Sequence, residues 1–308
     1  MNLKQLTSLI AVAENNFSIS HAAEQLHMVQ SAVSQQISRL EEEIGTQIFI
    51  RKGKRLSGLS PAGEEIVHYA YRAIANTNSI LEIGRDQINQ VEGKLRIGAT
   101  HTQAQYILPP VIKAFSQEYP NIELQIHQGS PKQLVNKAIH DEVDLSICTE
   151  ALGEHPDLVS ISSYRWNRVL IARPDHPILN LSLITLEQLC KHPIVTYVYG
   201  FTGREVFSDA FKQALLKPKI VLSAADTDVI KTYVRNGMGI GIIASMAYKK
   251  QHDSDLVFRD LSHLFPWETT KIAYQKDKYL RIHQQRFIEL FQLTVSDLKA
   301  VSKPLGYQ

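Results

Sequence analysis

Residues 20–45 read SHAAEQLHMVQSAVSQQISRLEEEIG, Ser20 to Gly45, and this stretch decides the fold of the N-terminal region. Val33, Ile37, Leu40 and Ile44 recur at spacings of four, three and four residues, which puts them on one side of a helix as a stripe expected to be buried. The other side carries Gln30, Ser31, Ser34, Gln35 and Ser38, with Arg39 beside them. Short polar side chains of this kind suit base edges and phosphates. Upstream, Ala22, Ala23 and Leu26 mark a second short amphipathic helix. Its small residues let two helices cross closely, as a helix-turn-helix requires.

A generic helical hairpin has the same spacing, so the continuation carries the argument. Gln47-Ile48-Phe49-Ile50 is a short apolar strand, followed by Arg51-Lys52-Gly53-Lys54-Arg55 and then Leu56 to Ser60. The cations Arg51, Lys52, Lys54 and Arg55 around a glycine read as the tip of a β-hairpin. Beside a recognition helix such a tip lies along the phosphate backbone and gains affinity by counterion release. Residues 1–60 are therefore expected to form a winged helix-turn-helix that binds double-stranded DNA, opened by a helix over Leu3–Glu14 with Leu6, Leu9, Ile10 and Ala13 on its apolar side.

Ser60-Pro61 then starts a long helix: Ser60 suits the N-cap, Pro61 the first turn, and Glu64 and Glu65 the positive end. Ile66, Ala70, Ala73, Thr77 and Leu81 follow at near-heptad spacing to about Gln90. One modest stripe cannot bury a helix of this length within itself. Packing on its own domain is one outcome. Two-fold pairing accounts for it better, because it would set two recognition helices on two half-sites. Residues 61–92 are read as this linker and dimerisation helix.

The chain has 308 residues and a formal net charge of +2, enough length for two or three compact units but no globally basic surface. DNA affinity must come from the local patch, which Glu41-Glu42-Glu43 partly offsets. No stretch approaches bilayer-spanning length, and the first residues lack a signal-peptide layout. Cys148 and Cys190 are too few for a disulfide framework and are not in metal-site spacing. A cytoplasmic protein with reduced thiols is expected, with no membrane, metal or cofactor.

From Lys94 strands and helices alternate. Leu95–Ala99 is a strand, followed by a helix through Ile107, Val111 and Phe115, and then by strands at Ile122–His127 and Asp144–Cys148 around a helix at Gln133–His140. A similar series resumes near Val169–Ala172, and the chain returns to the first lobe near Thr270–Tyr274 before a closing helix from Leu280 to Leu293. The fold class expected is α plus α/β. An effector-binding domain over 93–308 would have two lobes like a periplasmic binding protein, lobe I at about 93–162 and 269–308 and lobe II at about 163–268.

Ligands of open α/β sheets sit beyond the carboxyl ends of strands. Those ends are polar and neutral here: Thr100, His101, Thr102 and Gln103, then Gln128 and Ser130, then Thr149 and Glu150. The second lobe offers Tyr197, Phe201-Thr202-Gly203 and Asp226-Thr227. Hydroxyls and amides beside helix starts suit a small anion. Any single threonine is as well explained as a helix cap, and the convergence of Thr100, Thr102, Thr149 and Thr202 carries the reading. Gly237-x-Gly239-x-Gly241 precedes a strand and so is read as a helix cap with close packing, not as a dinucleotide fingerprint. No nucleophile elbow or phosphate loop occurs, and His101 and His127 lack a partner nucleophile, so no catalytic residue is assigned.

The stretch SAVSQQISRLEEEIGTQIFIRKGKRLSGLSPAG resembles the recognition helix, wing and linker entry of the LysR-type transcriptional regulators, and the likeness extends over essentially the whole chain. ATHTQAQYILPPVIKAF, HQGSPKQL, TEAL, WNRVLIARPDHPI, GFTGR, ADTDVIKTYVRNGMGIGIIASMA and TTKIAY resemble the CysB-type branch, which governs sulfur acquisition and cysteine synthesis. The resemblance implies a promoter-binding homo-oligomer, usually a dimer of dimers. Its effector would be a small anion of the N-acetylserine, O-acetylserine, sulfate or thiosulfate class. It also implies effector contacts at Thr100, Thr102, Gln103, Thr149 and Thr202, with Trp166 near the lobe junction. A sensor of another metabolite in the same family, or an enzyme with an appended DNA-binding head, are the rival readings.

Overall fold

The computed structural model describes residues 1–53, 55–87, 92–153 and 155–301, with side chains through 296. Lys54, expected at the wing tip, lies outside the described residues. Two compact units form, one from residues 1–87 with Asp277–Arg281 and one from the remainder. No described helix is long and apolar enough to cross a membrane.

In the first unit α1 (Leu3–Glu14) opens on a capping box between Asn2 and Gln5, and α2 (Ile19–Gln25) is capped by Ser18. Helix α3 (Gln30–Ile44) ends at Gly45 in the left-handed conformation. Strands β1 (Phe49–Lys52) and β2 (Arg55–Leu59) pair as an antiparallel hairpin, and α4 (Pro61–Gln87) follows. Val33, Ile37 and Leu40 pack with Leu9, Ala22, Ala23 and Phe49 in one core. Ile44 was expected in that stripe but is 38% exposed, because it lies in the last helical turn, past the core that Leu40 closes. The Ser60 hydroxyl accepts from the Gly63 N–H at 2.9 Å, capping α4 as expected. Of the expected α4 stripe only Ala70 is buried: Ile66, Ala73 and Thr77 are half-buried and Leu81 is exposed. The buried line runs instead through Gly63, Val67, Ala70, Tyr71 and Ala75, and Ile80 and Ile83 are exposed with Leu81.

The second unit contains β3 (Gly93–Ala99), α5 (His101–Tyr106), α6 (Leu108–Glu118), β4 (Ile122–Gln128), α7 (Pro131–Ile139), β5 (Leu145–Cys148) and β6 (Leu158–Trp166). Next come β7 (Arg168–Ala172), α8 (Leu186–Cys190), β8 (Ile194–Tyr197), α9 (Arg204–Gln213), β9 (Ile220–Ala224), α10 (Thr227–Arg235) and β10 (Ile240–Ala244). The series closes with β11 (Val257–Asp260), β12 (Glu268–Gln275) and α11 (Ile282–Val301). One sheet has the order β4-β3-β5-β12-β6 and the other β11-β7-β10-β8-β9. Strands β4, β3 and β5 are parallel, with β5 fully buried, the second half of β3 largely so and β4 half-exposed at the sheet edge, and β12 returns antiparallel between β5 and β6.

The chain passes from the first sheet to the second at Asn167, later than the expected 162, because β6 stays paired with β12 as far as Trp166 opposite Glu268. The single helix expected through Ile107, Val111 and Phe115 is two helices, α5 and α6, joined at Ile107. Pro109 and Pro110 explain the break: neither can donate to the preceding turn, and both fit the first turn of a new helix. The Gly237–Gly241 run does what its position suggested. Gly237 closes α10 through its N–H to the Val234 carbonyl, and a Cβ on Gly239 would lie 2.1 Å from the Pro193 carbonyl oxygen, so β10 packs where only glycine fits. Both cysteines are free thiols.

Candidate functional site

The exposed side of α3 forms a shallow groove lined by Ser31, Ala32, Ser34, Gln35 and Ser38. The buried Val33, Ile37 and Leu40 fix that face outward. Gln30 is partly committed, donating to the Ser20 hydroxyl at 2.9 Å. Gln35 and Arg39 are exposed, and both reach solvent from the rigid middle of the helix. The wing is tied to the helix by Glu41. One of its carboxylate oxygens accepts from the backbone N–H groups of Ile48 and Phe49 at 2.9 and 3.2 Å, and the other from Arg51 at 2.7 Å. Arg51 is thus neutralised in place, while Lys52 and Arg55 are exposed at the two sides of the Gly53 turn.

The second candidate site lies where the two sheets of the α/β unit meet. Thr100, Thr102 and Gln103 follow β3, Thr149 and Glu150 follow β5, Trp166 ends β6, and Thr202-Gly203 leads into α9. Thr100, Thr102, Gln103, Trp166 and Thr202 are all buried. A chain of hydrogen bonds orders the first lobe's side. The Tyr164 hydroxyl donates to Gln103 at 2.7 Å, the Gln103 amide reaches Thr270 at 3.4 Å, and Thr270 and Thr149 share a 3.0 Å contact. The Trp166 indole N–H donates to Thr149 at 3.0 Å. Gln103 therefore spends both ends of its amide within the protein.

Thr102 differs. It is 1% exposed and its hydroxyl has no hydrogen-bond partner among the described residues. It lies near the Tyr197 phenol, whose oxygen is already engaged by the Thr227 hydroxyl at 2.6 Å and the Ala244 N–H at 3.2 Å. A buried hydroxyl left unpaired carries a desolvation cost that a ligand oxygen removes.

Across the junction the Gly203 N–H donates to one oxygen of Glu150. The Arg168 guanidinium donates to the Gly203 carbonyl at 2.6 Å and pairs with Glu268, and it stacks 5.4 Å from the Trp166 ring centroid. Burial raises the Glu150 carboxyl to about 7. The Gly203 N–H and Glu150's own backbone N–H oppose that rise, while Glu268 and Glu205 add to it. A second bridge joins the lobes at Tyr106, whose hydroxyl donates to Asp228 at 2.6 Å and accepts from Lys231 at 3.2 Å. Burial and the Asp228 carboxylate both hold that phenol protonated, well above its ordinary value.

Gln128 is exposed, and Ser130 is committed to capping α7 through the Gln133 N–H. Among the described residues neither side chain is hydrogen-bonded to the junction network. His101 stands 4.0 Å from Asp228. With Asp226 these two residues bring ligand atoms within 4.8 Å of one another, but Asp226 already caps α10 and Asp228 already accepts from Tyr106. The residues that sequence reasoning missed are Tyr164, Thr270, Arg168, Glu268 and Tyr106. A buried arginine just after Trp166 and a glutamate just before Thr269-Thr270 were the available signals, but their pairing spans a hundred residues.

A model of the bacterial regulatory helix-turn-helix protein, lysR family, matches residues 3–64, and a model of the LysR substrate binding domain matches residues 89–295. The chain is 41% identical to the HTH-type transcriptional regulator SsuR of Burkholderia cenocepacia, over 94% of each chain. It is 42% identical to the HTH-type transcriptional regulator CysB of Haemophilus influenzae, over 94% of this chain and 90% of that one. The crystal structure of the cofactor-binding domain of the Cbl transcriptional regulator superposes with a TM-score of 0.63 at 39% identity, covering 69% of this chain and 94% of that domain.

Proposed function

We propose that this chain, which belongs to the LysR family of bacterial transcriptional regulators, controls sulfur-assimilation or cysteine-biosynthesis genes in response to a small anion bound between the lobes of its effector domain. The family membership carries promoter DNA binding and a small-molecule effector. The sulfur reading draws on the likeness to SsuR, CysB and Cbl. The effector site draws on one observation above the others, the buried Thr102 hydroxyl among Thr100, Thr149 and Thr202, which lies beside the Tyr197 phenol and has no hydrogen bond of ordinary geometry among the described residues. We assign residues 1–60 to DNA binding, 61–92 to the linker and 93–308 to effector binding, in a homo-oligomer built from dimers.

The effector works by binding one arrangement of the lobes better than the other, which shifts the oligomer shape and the spacing of paired recognition helices. Calorimetric titration of the full chain with N-acetylserine, O-acetylserine, sulfate and thiosulfate tests the reading. Saturable binding of one of them, lost in Thr102→Val while operator binding persists, is the expected result. Normal binding by that variant would put the site elsewhere.

On the DNA side, Gln35→Ala weakens discrimination between operator and random duplex more than it weakens binding to random duplex, by about 1–3 kcal/mol for a lost bidentate base contact. Lys52→Ala and Arg55→Ala instead lower affinity for every duplex and flatten the salt dependence by about one counterion each. Arg51→Ala has the smaller effect on DNA because Glu41 already holds its charge. Titrations of operator and random duplex at several salt concentrations separate these cases. Equal losses on both duplexes for the Gln35 variant would remove its base-reading role.

A further inference from the structure

The segment Asp277-Lys278-Tyr279-Leu280-Arg281 belongs by its contacts to the first unit, although the chain on either side of it belongs to the second. Its polar groups are spent on α4. Arg72 pairs with Asp277. The Tyr279 N–H donates to the Ser79 hydroxyl at 3.2 Å, and its phenol donates to one Asp86 oxygen at 3.1 Å. Arg281 donates through Nε to the other Asp86 oxygen at 2.9 Å, and its Nη1 lies 3.0 Å from Glu82. Arg72, Ser79, Glu82 and Asp86 follow one another at spacings of seven, three and four residues. They therefore share one side of the helix, and the contacts run along about 21 Å of its axis.

Arg281 is the centre of this ladder. Its side chain is 5% exposed and that of Asp86 8%, so the pair is unlike the solvated surface pairs that contribute little. A turn from β12 into α11 requires none of this. A guanidinium held by two carboxylates of one helix fixes the segment's height along that helix and its rotation about it.

The other end of the segment is set by β12. Only Lys276 stands between them, and its N–H donates to the Asp157 carbonyl at 2.8 Å. Strand β12 is paired with β5 on one edge and β6 on the other. It carries Glu268, which pairs with Arg168, and Thr270, which meets Thr149 and Gln103. A strand paired on both edges moves as a stiff element, and coupling between distant sites travels through such elements. At its other end α4 is anchored in the helix-turn-helix core through Val67, Ala70 and Tyr71.

We propose that residues 277–281 form a coupling strap: a displacement of β12 at the effector site is delivered to α4, and so to the paired recognition helices, through the cluster of Arg281, Asp86 and Glu82. Arg281 is the positioning residue of the strap and acts through α4. The inference rests on the effector reading above, since the strap transmits what the junction senses.

The test uses the full chain and compares operator affinity with and without a saturating probe, taken from N-acetylserine, O-acetylserine, sulfate and thiosulfate. In the wild type the probe that binds changes operator affinity by about fivefold or more. Arg281→Ala keeps calorimetric binding of that probe and basal operator affinity within about threefold, yet the ratio of the two operator affinities falls to within about twofold of one. Arg281→Lys supplies the charge without the fork that spans two carboxylates, and gives an intermediate ratio. A strap that served stability alone would lower the unfolding temperature and leave the ratio unchanged. In the wild type, which needs no variant to fold, hydrogen exchange at residues 79–86 and 277–281 changes together when the probe binds. A full wild-type ratio in Arg281→Ala, or exchange in those two segments indifferent to a bound probe, overturns the strap alone, as does a bound probe that leaves wild-type operator affinity unchanged. Failure of all four probes to bind the wild type overturns the effector reading, and the strap with it.

Discussion

Gly203→Ala destabilises the α/β unit by about 3 kcal/mol and abolishes the effector response, an effect on the scale of breaking a buried ion pair. Gly203 has φ +70°, and a Cβ there would lie 2.0 Å from both the Arg168 Nη2 and the Glu268 Oε1. Those atoms are the ends of long side chains, which on a surface would simply swing away. Here Arg168 is 2% exposed and Glu268 9%, and the same guanidinium nitrogen donates to the Gly203 carbonyl. Moving it strands a buried charge and a buried acceptor together. Gly200→Ala is the control. Its φ is +80°, but nothing lies within 4 Å of an added Cβ, so it loses only the left-handed preference, about 1 kcal/mol. Thermal unfolding of the two variants separates strain from collision, the first shifting by about 6–12 °C and the second by a few degrees. Equal shifts would remove the steric argument.

The parts of this fold that were legible in the sequence are those set by neighbours along the chain. The α3 stripe and the wing follow from spacings of a few residues, and the groove over Ser31, Ser34, Gln35 and Ser38 is the direct complement of the buried Val33, Ile37 and Leu40. Ile44 escaped because helical period says which side a residue faces, not where the core ends. Strands β6 and β11 were not legible. Both are largely half-buried or exposed along their length, so neither has the apolar run that marked β5 and β10. The threonines of the junction were found because strand ends collect ligands. Their partners were not, since Thr149 meets Thr270 across 121 residues and Tyr164 meets Gln103 across 61. Glu150 was visible as a strand end, and only the fold showed that its carboxyl meets the Gly203 N–H of the other lobe.

Asp253→Asn costs about 3 kcal/mol at neutral pH, and the cost shrinks on acidification. Lys231 and Asp253 are each 3% exposed in a 2.7 Å ion pair, and Asp253 also accepts from Arg235 at 3.0 Å and from the Lys249 N–H at 2.9 Å. Asparagine keeps the shape and removes the charge. The Lys231 ammonium then loses its carboxylate partner and keeps neutral contacts, the amide oxygen, the Tyr106 oxygen and the Tyr106 ring, whose centroid is 4.8 Å away. An uncompensated buried ammonium is expected to be strongly destabilising. Burial alone would raise the Asp253 carboxyl, but the hydrogen bonds from Lys231, the Lys249 N–H and Arg235 and the charge of Lys231 outweigh it, so it lies below its ordinary value.

A depressed carboxyl stabilises the native state fully above its unfolded value, about 3.9, and loses that contribution as pH falls through the lower folded value. The wild type therefore approaches the variant only below about pH 4. Chemical denaturation of both proteins at neutral and acid pH checks this, and a gap that stayed constant would trace the loss to packing instead of charge. The consequence reaches function through Tyr106. Lys231 and Asp228 together hold that phenol from the opposite lobe, so freeing Lys231 also loosens the bridge, and the effector concentration needed for half-maximal response changes along with stability. Tyr106→Phe keeps the ring over Lys231 and deletes only the bridging hydroxyl. It is expected to shift the response while leaving stability within about 1 kcal/mol, which separates the bridge from the ion pair beneath it.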